Sequence, residues 1–345
     1  GCLRESSMKA VIASKPGIIS LGNKAYPETI GSTEVRLKVR TAGICGSDMH
    51  IYKGTNPFVT YPRIIGHEFA GEIEAVGSNA KGFQIGDHVV VDPVSSCGLC
   101  YACRLGRQNV CKTLSVIGIH EDGGMQQYIT LPTSFLHKIP DRISWEVAAL
   151  VEPFTIAAQA TSRGRVTAED TACIIGAGPI GTAVMMVCKM IGAKVLVIDI
   201  NPARLDMAKK LGADTVVDPA APREKKVLDH FTKHGGFNIV IDAAGVPEAF
   251  EKAIDITSPA GRVVTLGFSP NSSAITQKEI TKKELDIMGS RLHTNKFPEV
   301  IEWIDKDLID PGLLVTHHFD AARVEEAIQL IEKAPSGVCK TVINF

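Results

Sequence analysis

The sequence predicts an α/β fold, a doubly wound parallel sheet joined to a mostly-β domain. Three observations carry that expectation. From Thr171 onward, short apolar strands alternate with helical stretches. The first of these strands runs into Gly176-Ala-Gly-Pro-Ile-Gly181, a G-x-G-x-x-G turn that opens an apolar helix. Before it, residues 8–150 carry short strands separated by Gly- and Pro-rich turns. The 345 residues suit two domains at about 100–200 residues each.

In the first domain the expected strands are Val35–Val39, Glu72–Ala75, Asp87–Val91 and Gln127–Thr130. The second domain starts with strand Thr171–Ile175, then the glycine turn, then a helix to Ile191 that Gly192 ends. Strand Lys194–Ile198 follows, with Asp199 at its C-terminal end, 18 residues after Gly181. Further strands fit Thr215–Val217, Asn238–Asp242, Gly261–Leu266 and Leu285–Met288, which completes a six-stranded sheet. An amphipathic helix near Val324–Glu332 and a last strand, Thr341–Phe345, return to the first domain. The expected division is therefore 8–152 with 293–345, and 153–292. A ligand would sit in the cleft between them.

Composition excludes several classes. Hydrophobic residues make up 45% and charged residues 22%, so the chain can fold around a core. The net charge of −1 gives no long-range attraction to nucleic acid or to an anionic membrane. Thr171 to Cys188 is uncharged over 18 residues, the lower edge for a membrane span. Gly176, Gly178, Pro179 and Gly181 inside it favour a buried strand–turn–helix. The start, GCLRESSMKAV, lacks an apolar signal-peptide core, so a cytoplasmic location is expected. Residues 1–7 are set aside from the fold.

The glycine turn has a specific chemistry. Its backbone N–H groups at Gly176, Gly178, Ile180 and Gly181, with Pro179 as the first helical residue, open a helix N-terminus to a pyrophosphate. Asp199 can accept hydrogen bonds from ribose hydroxyls and would repel a 2′-phosphate, which favours NAD over NADP. The plainer reading is that Asp199 caps the next helix.

Nine cysteines, without a secretion signal, argue against a disulfide framework. Four crowd together as C-x2-C-x2-C-x7-C: Cys97, Cys100, Cys103 and Cys111, in a lobe spanning 95–113. Four thiolates suit a closed, tetrahedral structural zinc. The spacing differs from the ferredoxin run, which has three residues before its last Cys. Such a site pins a loop and leaves no position for chemistry. Cys173 and Cys188 sit in apolar stretches and read as buried structural residues. Cys2 and Cys339 carry no readable context.

A second constellation is spread along the chain. Cys45 lies in Gly43-Ile-Cys-Gly-Ser-Asp-Met-His50, His67 and Glu68 in Gly66-His-Glu-Phe-Ala-Gly71, and Glu152 in Val151-Glu-Pro153. Taken singly these are ordinary core or surface residues. Together they offer the three mixed ligands of a catalytic zinc that keeps one position open.

These motifs, in this order, resemble the zinc-dependent medium-chain alcohol and sorbitol dehydrogenases. The resemblance covers Met8 to Phe345 and rests on GICGSDMH, GHEFAGEIEAVG, the four-cysteine lobe, VEP and GAGPIG. It implies a GroES-like catalytic domain beside a Rossmann domain, two zinc ions per chain, NAD, and a homodimer or homotetramer. One departure is that Ser78, Asn79 and Ala80 follow Gly77, where the family often has Val three residues on. Glu152 stands where ethanol-active members carry a cysteine, as in the polyol and threonine dehydrogenases. Longer runs, CGSDMHIYKGTNPFVTYPRIIGHEF and GSRLHTNKFPEVIEW, resemble the subgroup of the starvation-sensing oxidoreductase and the L-gulonate and L-galactonate 5-dehydrogenases. Such enzymes oxidise a secondary alcohol of a six-carbon sugar acid.

The resemblance also implies roles. Zinc on Cys45, His67 and Glu152 or Glu68 activates the substrate hydroxyl. Ser47 takes the proton and His50 passes it on through the cofactor ribose. Asp48 orients His67. Arg204 lies beside the adenine, and Lys340 pairs the pyrophosphate. Arg291, Asn295 and Lys296 are the candidate substrate contacts, with Asn56 a fourth. A guanidinium can hold a sugar-acid carboxylate bidentately. Set against these are turn, surface and subunit-interface roles. His317-His318 looks like a metal pair, but a solvated strand end fits better. A neutral polyol substrate, a zinc-free quinone reductase, and an NAD(H)-binding regulator without turnover are the rivals. The complete set of ligands and relay residues argues against the last two.

Overall fold

The computed structural model describes residues 6–233, 235–333 and 335–345. Cys2 lies outside them. The chain divides into two compact units. One runs to Glu152 and resumes at Phe297, and the other spans Pro153–Lys296. The second junction falls later than the expected residue 292. Thr294 is tied to Gln159 by its N–H at 2.8 Å and its hydroxyl at 3.0 Å, which keeps this stretch with the second unit.

The second unit is built on six parallel strands. In space they run Thr215–Val217, Lys194–Ile198, Thr171–Ile175, Phe237–Asp242, Thr257–Thr265, Asp286–Gly289. In chain order that is 3-2-1-4-5-6, the doubly wound arrangement with its switch point beside Thr171–Ile175. The central strands are apolar on both faces because helices cover both, and Cys173 and Cys188 are fully buried there. Helix Pro179–Ile191 leaves the first strand through the glycine turn and ends at Gly192, whose φ of 106° is the left-handed conformation expected of a glycine stop.

The first unit carries a seven-stranded sheet and a three-stranded one. Strand Glu34–Ile44 is the spine of the larger sheet. It pairs antiparallel with Phe69–Val76, with Tyr128–Pro132 and with the last strand, Lys340–Asn344. The return of the chain end as a central strand is what fastens residues 297–345 to this unit. The smaller sheet contains a hairpin, Ser7–Lys15 with Ile18–Ala25, absent from the sequence-based expectation. Its strand begins at Ser7, and Ser6 O accepts from Tyr26 N at 2.9 Å, so setting residues 1–7 aside was too broad. Pro16 and Gly17, the latter at φ 86°, form its turn. No helix of the described residues is long and apolar enough to cross a membrane.

Candidate active site

Strand register assembles the first cluster. Ala42 pairs with Phe69 and Thr341 with Ile44, so three neighbouring strands deliver Cys45, His67–Glu68 and Lys340 to one place. The Gly43 N–H donates to the Glu68 carbonyl at 2.8 Å, which extends that ladder one step. Gly66 makes the bend before His67 at φ 110°, and a Cβ there would lie 2.8 Å from Met125 N. Cys45, His67 and Glu68 each offer a ligand atom, and all three atoms lie within 4.8 Å of one another. One thiol, one imidazole and one carboxylate are the mixed donors that zinc takes. Glu152, in the first turn of helix Val151–Arg163, is buried beside them but outside that closest set.

Electrostatics mark the cluster as a cation site. Desolvation, reinforced by the charge of Glu68, pushes the Glu152 carboxyl up to about 8. Burial works against the charged form of His67, yet Cys45 and Asp48 raise its pKa well above the usual imidazole value. Burial likewise raises the Asp48 carboxyl, and two buried carboxyls penalised this way suit a neighbouring divalent cation. Helix Gly46–Lys53 supports it from below. Cys45 is its N-cap, and Asp48 Oδ2 accepts from Cys45 N at 2.9 Å in a capping box. Asp48 Oδ1 faces His67 Nδ1 at 3.9 Å, beyond hydrogen-bond length, and neither atom has a hydrogen-bond partner among the described residues.

The other expected residues of this unit separate in burial. Ser47 and His50 lie on the same helix, Ser47 half-buried and His50 exposed with Nδ1 2.8 Å from Thr55 Oγ1. Asn56 is half-buried and its side-chain oxygen accepts from Phe58 N at 3.0 Å. Lys340 is not a solvated terminal lysine and its ammonium is not free for a phosphate. It is 1% exposed and bonded to Glu68 and to the Ile44 carbonyl. His317 contacts Thr316, and His318 pairs with Glu146, so they form no metal pair.

Cys97, Cys100, Cys103 and Cys111 also gather their sulfurs within 4.8 Å. The two-residue ladder Val94–Ser95 with Ser115–Val116 closes the neck of this lobe. N–H groups of Cys97 and Thr113 point at Cys111 Sγ at 3.3 and 3.4 Å and hold its thiol down to about 6. Four sulfurs so placed suit a closed zinc site.

In the second unit, the glycine turn is tight on one side and open on the other. A Cβ on Gly181 would sit 1.8 Å from Gly176 O, whereas one on Gly178 would meet nothing within 4 Å. Gly178 is the N-cap of helix Pro179–Ile191 and offers no side-chain cap, so its first N–H groups stay available to an anion. Asp199 does not cap the following helix. Asn201 does, accepting from Ala203 N and Arg204 N. Asp199 instead accepts from Ala177 N at 2.7 Å and Asn201 N at 2.8 Å, which ties the glycine turn to the end of the second strand. Arg204 is half-buried in the first turn of helix Pro202–Lys210.

The segment 290–296 carries Arg291, Asn295 and Lys296. Arg291 lies over the Phe268 ring at 5.2 Å. Leu292 and Asn295 both have positive φ, 51° and 52°, a conformation costly for leucine and tolerated by asparagine. Gln159, whose bonds to Thr294 were described above, and Arg163, which donates to Gly289 O at 3.1 Å, hold the strained segment. Lys296 reaches Ser162 Oγ at 3.5 Å. The sequence reading missed Gln159, Phe268, Gly43 and the Ile44 carbonyl. A glycine inside a strand, as at Gly43, is a readable sign of close approach, whereas the others carry no sequence signal.

Known proteins resemble this chain over nearly its whole length. The alcohol dehydrogenase GroES-like domain matches residues 31–141 and the zinc-binding dehydrogenase domain matches 179–306. The starvation-sensing protein RspB of Escherichia coli K12 is 44% identical over 98% of this chain and 99% of its own. L-galactonate-5-dehydrogenase of the same organism is 34% identical over 99% of this chain and 100% of its own. A solved structure of rspB from E. coli CFT073, complexed with NADH, superimposes with a TM-score of 0.93 at 43% identity, covering 99% of this chain and 100% of that one.

Proposed function

The chain belongs to the zinc-binding alcohol dehydrogenase family, as an NAD-linked dehydrogenase acting on CH–OH, and from that premise we propose that it oxidises a secondary alcohol of a hexonate to the keto acid. The observation that carries the substrate class is Arg291, a guanidinium seated over Phe268 in a strained segment. A guanidinium pairs a carboxylate through two parallel hydrogen bonds, which a neutral polyol cannot match. The full-length likeness to L-galactonate-5-dehydrogenase supports the same class.

Cys45, His67 and one of the carboxylates Glu68 and Glu152 would hold zinc, which supplies Lewis acidity and lowers the pKa of a bound alcohol. NAD, when bound, is the hydride acceptor. Gly176, Gly178, Pro179, Ile180 and Gly181 would carry its pyrophosphate at the helix N-terminus, with Asp199 and Arg204 at the adenosine end. Ser47 accepts the hydroxyl proton at Oγ, since a hydroxyl both donates and accepts. His50, three residues on and so on the same helix face, takes that proton toward solvent. The four-cysteine lobe holds a second, structural zinc. Asn295, Lys296 and Asn56 contribute donors to the sugar hydroxyls. The chain assembles as a homodimer or homotetramer.

NADH formation across hexonates and neutral polyols, with NAD and NADP in parallel, tests this reading. Turnover of a hexonate with NAD is expected. Turnover confined to sorbitol-like polyols would replace it with a general polyol dehydrogenase.

A further inference from the structure

Asp242 ends strand Phe237–Asp242 and is 1% exposed. It stands between two strand ends, level with Ile175 on one side and Thr265 on the other. Its Oδ1 accepts from Ala244 N at 3.1 Å and from Gly245 N at 3.3 Å. Its Oδ2 accepts from the Thr265 hydroxyl at 3.3 Å, and Thr265 Oγ1 accepts in turn from Gly267 N at 3.2 Å. A hydroxyl can do both at once, so one buried carboxylate reaches the backbone of two loops, 243–246 and 266–268. The loops also touch. A Cβ on Gly267 would lie 3.1 Å from Gly245 Cα, and Gly245 itself holds φ at 73°. The first loop is seated against the glycine turn as well. Ala243 N donates to Ile175 O at 2.8 Å, and a Cβ on Gly176 would lie 2.8 Å from Ala244 N. Beyond these ties each loop leaves an apolar side chain in solvent, Val246 at 49% and Phe268 at 72% exposed, faces open to a planar ring.

Strand order says which end of a dinucleotide these loops meet. In the order 3-2-1-4-5-6 each half of the sheet takes one mononucleotide, across the switch point. The glycine turn and Asp199 follow strands 1 and 2, in the adenosine half. Phe237–Asp242 and Thr257–Thr265 are strands 4 and 5, in the other half. We propose that Asp242 is a positioning residue for the cofactor, which holds loops 243–246 and 266–268 in the arrangement that receives the nicotinamide half of NAD. The proposal rests on the dinucleotide reading of the glycine turn above. A carboxylate out of water is costly unless donors spend its oxygens. Here the three donors lie in one of these loops or at the strand end that feeds the other.

The test is calorimetric binding of NADH and of ADP-ribose, which lacks the nicotinamide, to the full-length chain as wild type, D242A, D242N, T265V and T265S, with the thermal midpoint of each. D242A should weaken NADH by at least about 10-fold and leave ADP-ribose within about 3-fold, the scale of lost bonds to a charged group. T265V should shift NADH in the same direction by about 3- to 10-fold, and T265S should restore it, because serine keeps the hydroxyl. D242N should also recover NADH affinity, since its oxygen keeps both N–H donors and its amide can reach Thr265 Oγ1. A merely structural acid would move the thermal midpoint and both ligands alike. Equal losses of NADH and ADP-ribose in D242A, or NADH affinity unchanged in D242A and T265V, would overturn the proposal. If D242A does not fold, T265V and T265S decide between these outcomes. A wild type that binds neither ligand would sink the cofactor reading itself, and the proposal with it.

Discussion

Asp199 spends both carboxylate oxygens on backbone N–H groups, at Ala177 and at Asn201. It therefore positions the glycine turn, and in the proposed reading it also sets a negative charge where a 2′-phosphate would fall. Asp199→Ala should raise the NADP-to-NAD ratio of kcat/KM by at least about 10-fold, the scale of one removed like-charge contact of about 1.4 kcal/mol. Equal losses with both cofactors would show that the carboxylate serves the turn alone. Asp48 has the matching position at the metal centre. Its Oδ2 caps the helix at Cys45 N while Oδ1 faces His67. Asp48→Asn keeps the shape and removes the charge. Zinc retention at this centre should fall about 10- to 100-fold while the thermal midpoint changes little. A large loss of thermal stability with zinc affinity intact would contradict that assignment.

At the scale of elements, legibility followed sequence distance. The strand–turn–helix at Thr171–Ile191 is local, and its glycines, its Gly192 stop and Asp199 all sit where the pattern places them. The four-cysteine lobe is local too, and its sulfurs converge. The Lys340–Glu68 pair is separated by 272 residues and only strand register joins it, so no spacing rule reaches it. The Cys45, His67 and Glu68 donors are likewise collected by the pairing of Glu34–Ile44 with Phe69–Val76; residue types named them as a candidate set, and the resemblance strengthened a signal that their spacing left weak. The N-terminal hairpin was readable from Pro16-Gly17 and went unread because its strands alternate only partly, with Val11 and Ala10 both fully buried. Two variants probe these elements. Gly181→Ala would press a methyl to 1.8 Å from Gly176 O, and neither backbone segment can yield. A loss of about 1–3 kcal/mol in stability, with weakened NADH binding, is expected from denaturant unfolding. Cys111→Ser should release one zinc and lower the thermal midpoint while leaving the other zinc in place. Loss of both ions together would show that the lobe and the catalytic centre are not independent.

At the scale of the whole molecule, the two units carry separate cores and separate halves of the chemistry. Cys45, His67, Glu68, Glu152 and Lys340 lie in the first, and the glycine turn, Asp199 and the Arg291 segment lie in the second. The family membership accounts for hydride transfer, but it does not choose a substrate. That choice rests on a cation in a segment where two non-glycine residues hold positive φ. Steady-state kinetics of wild type and Arg291→Met, on a hexonate and on its neutral polyol counterpart, test this most directly. The account predicts that the variant raises KM for the hexonate at least about 10-fold, the loss of a charge-assisted contact of about 1.5–3 kcal/mol, and leaves the polyol nearly unchanged. An equal effect on both substrates, or none on the hexonate, would contradict it.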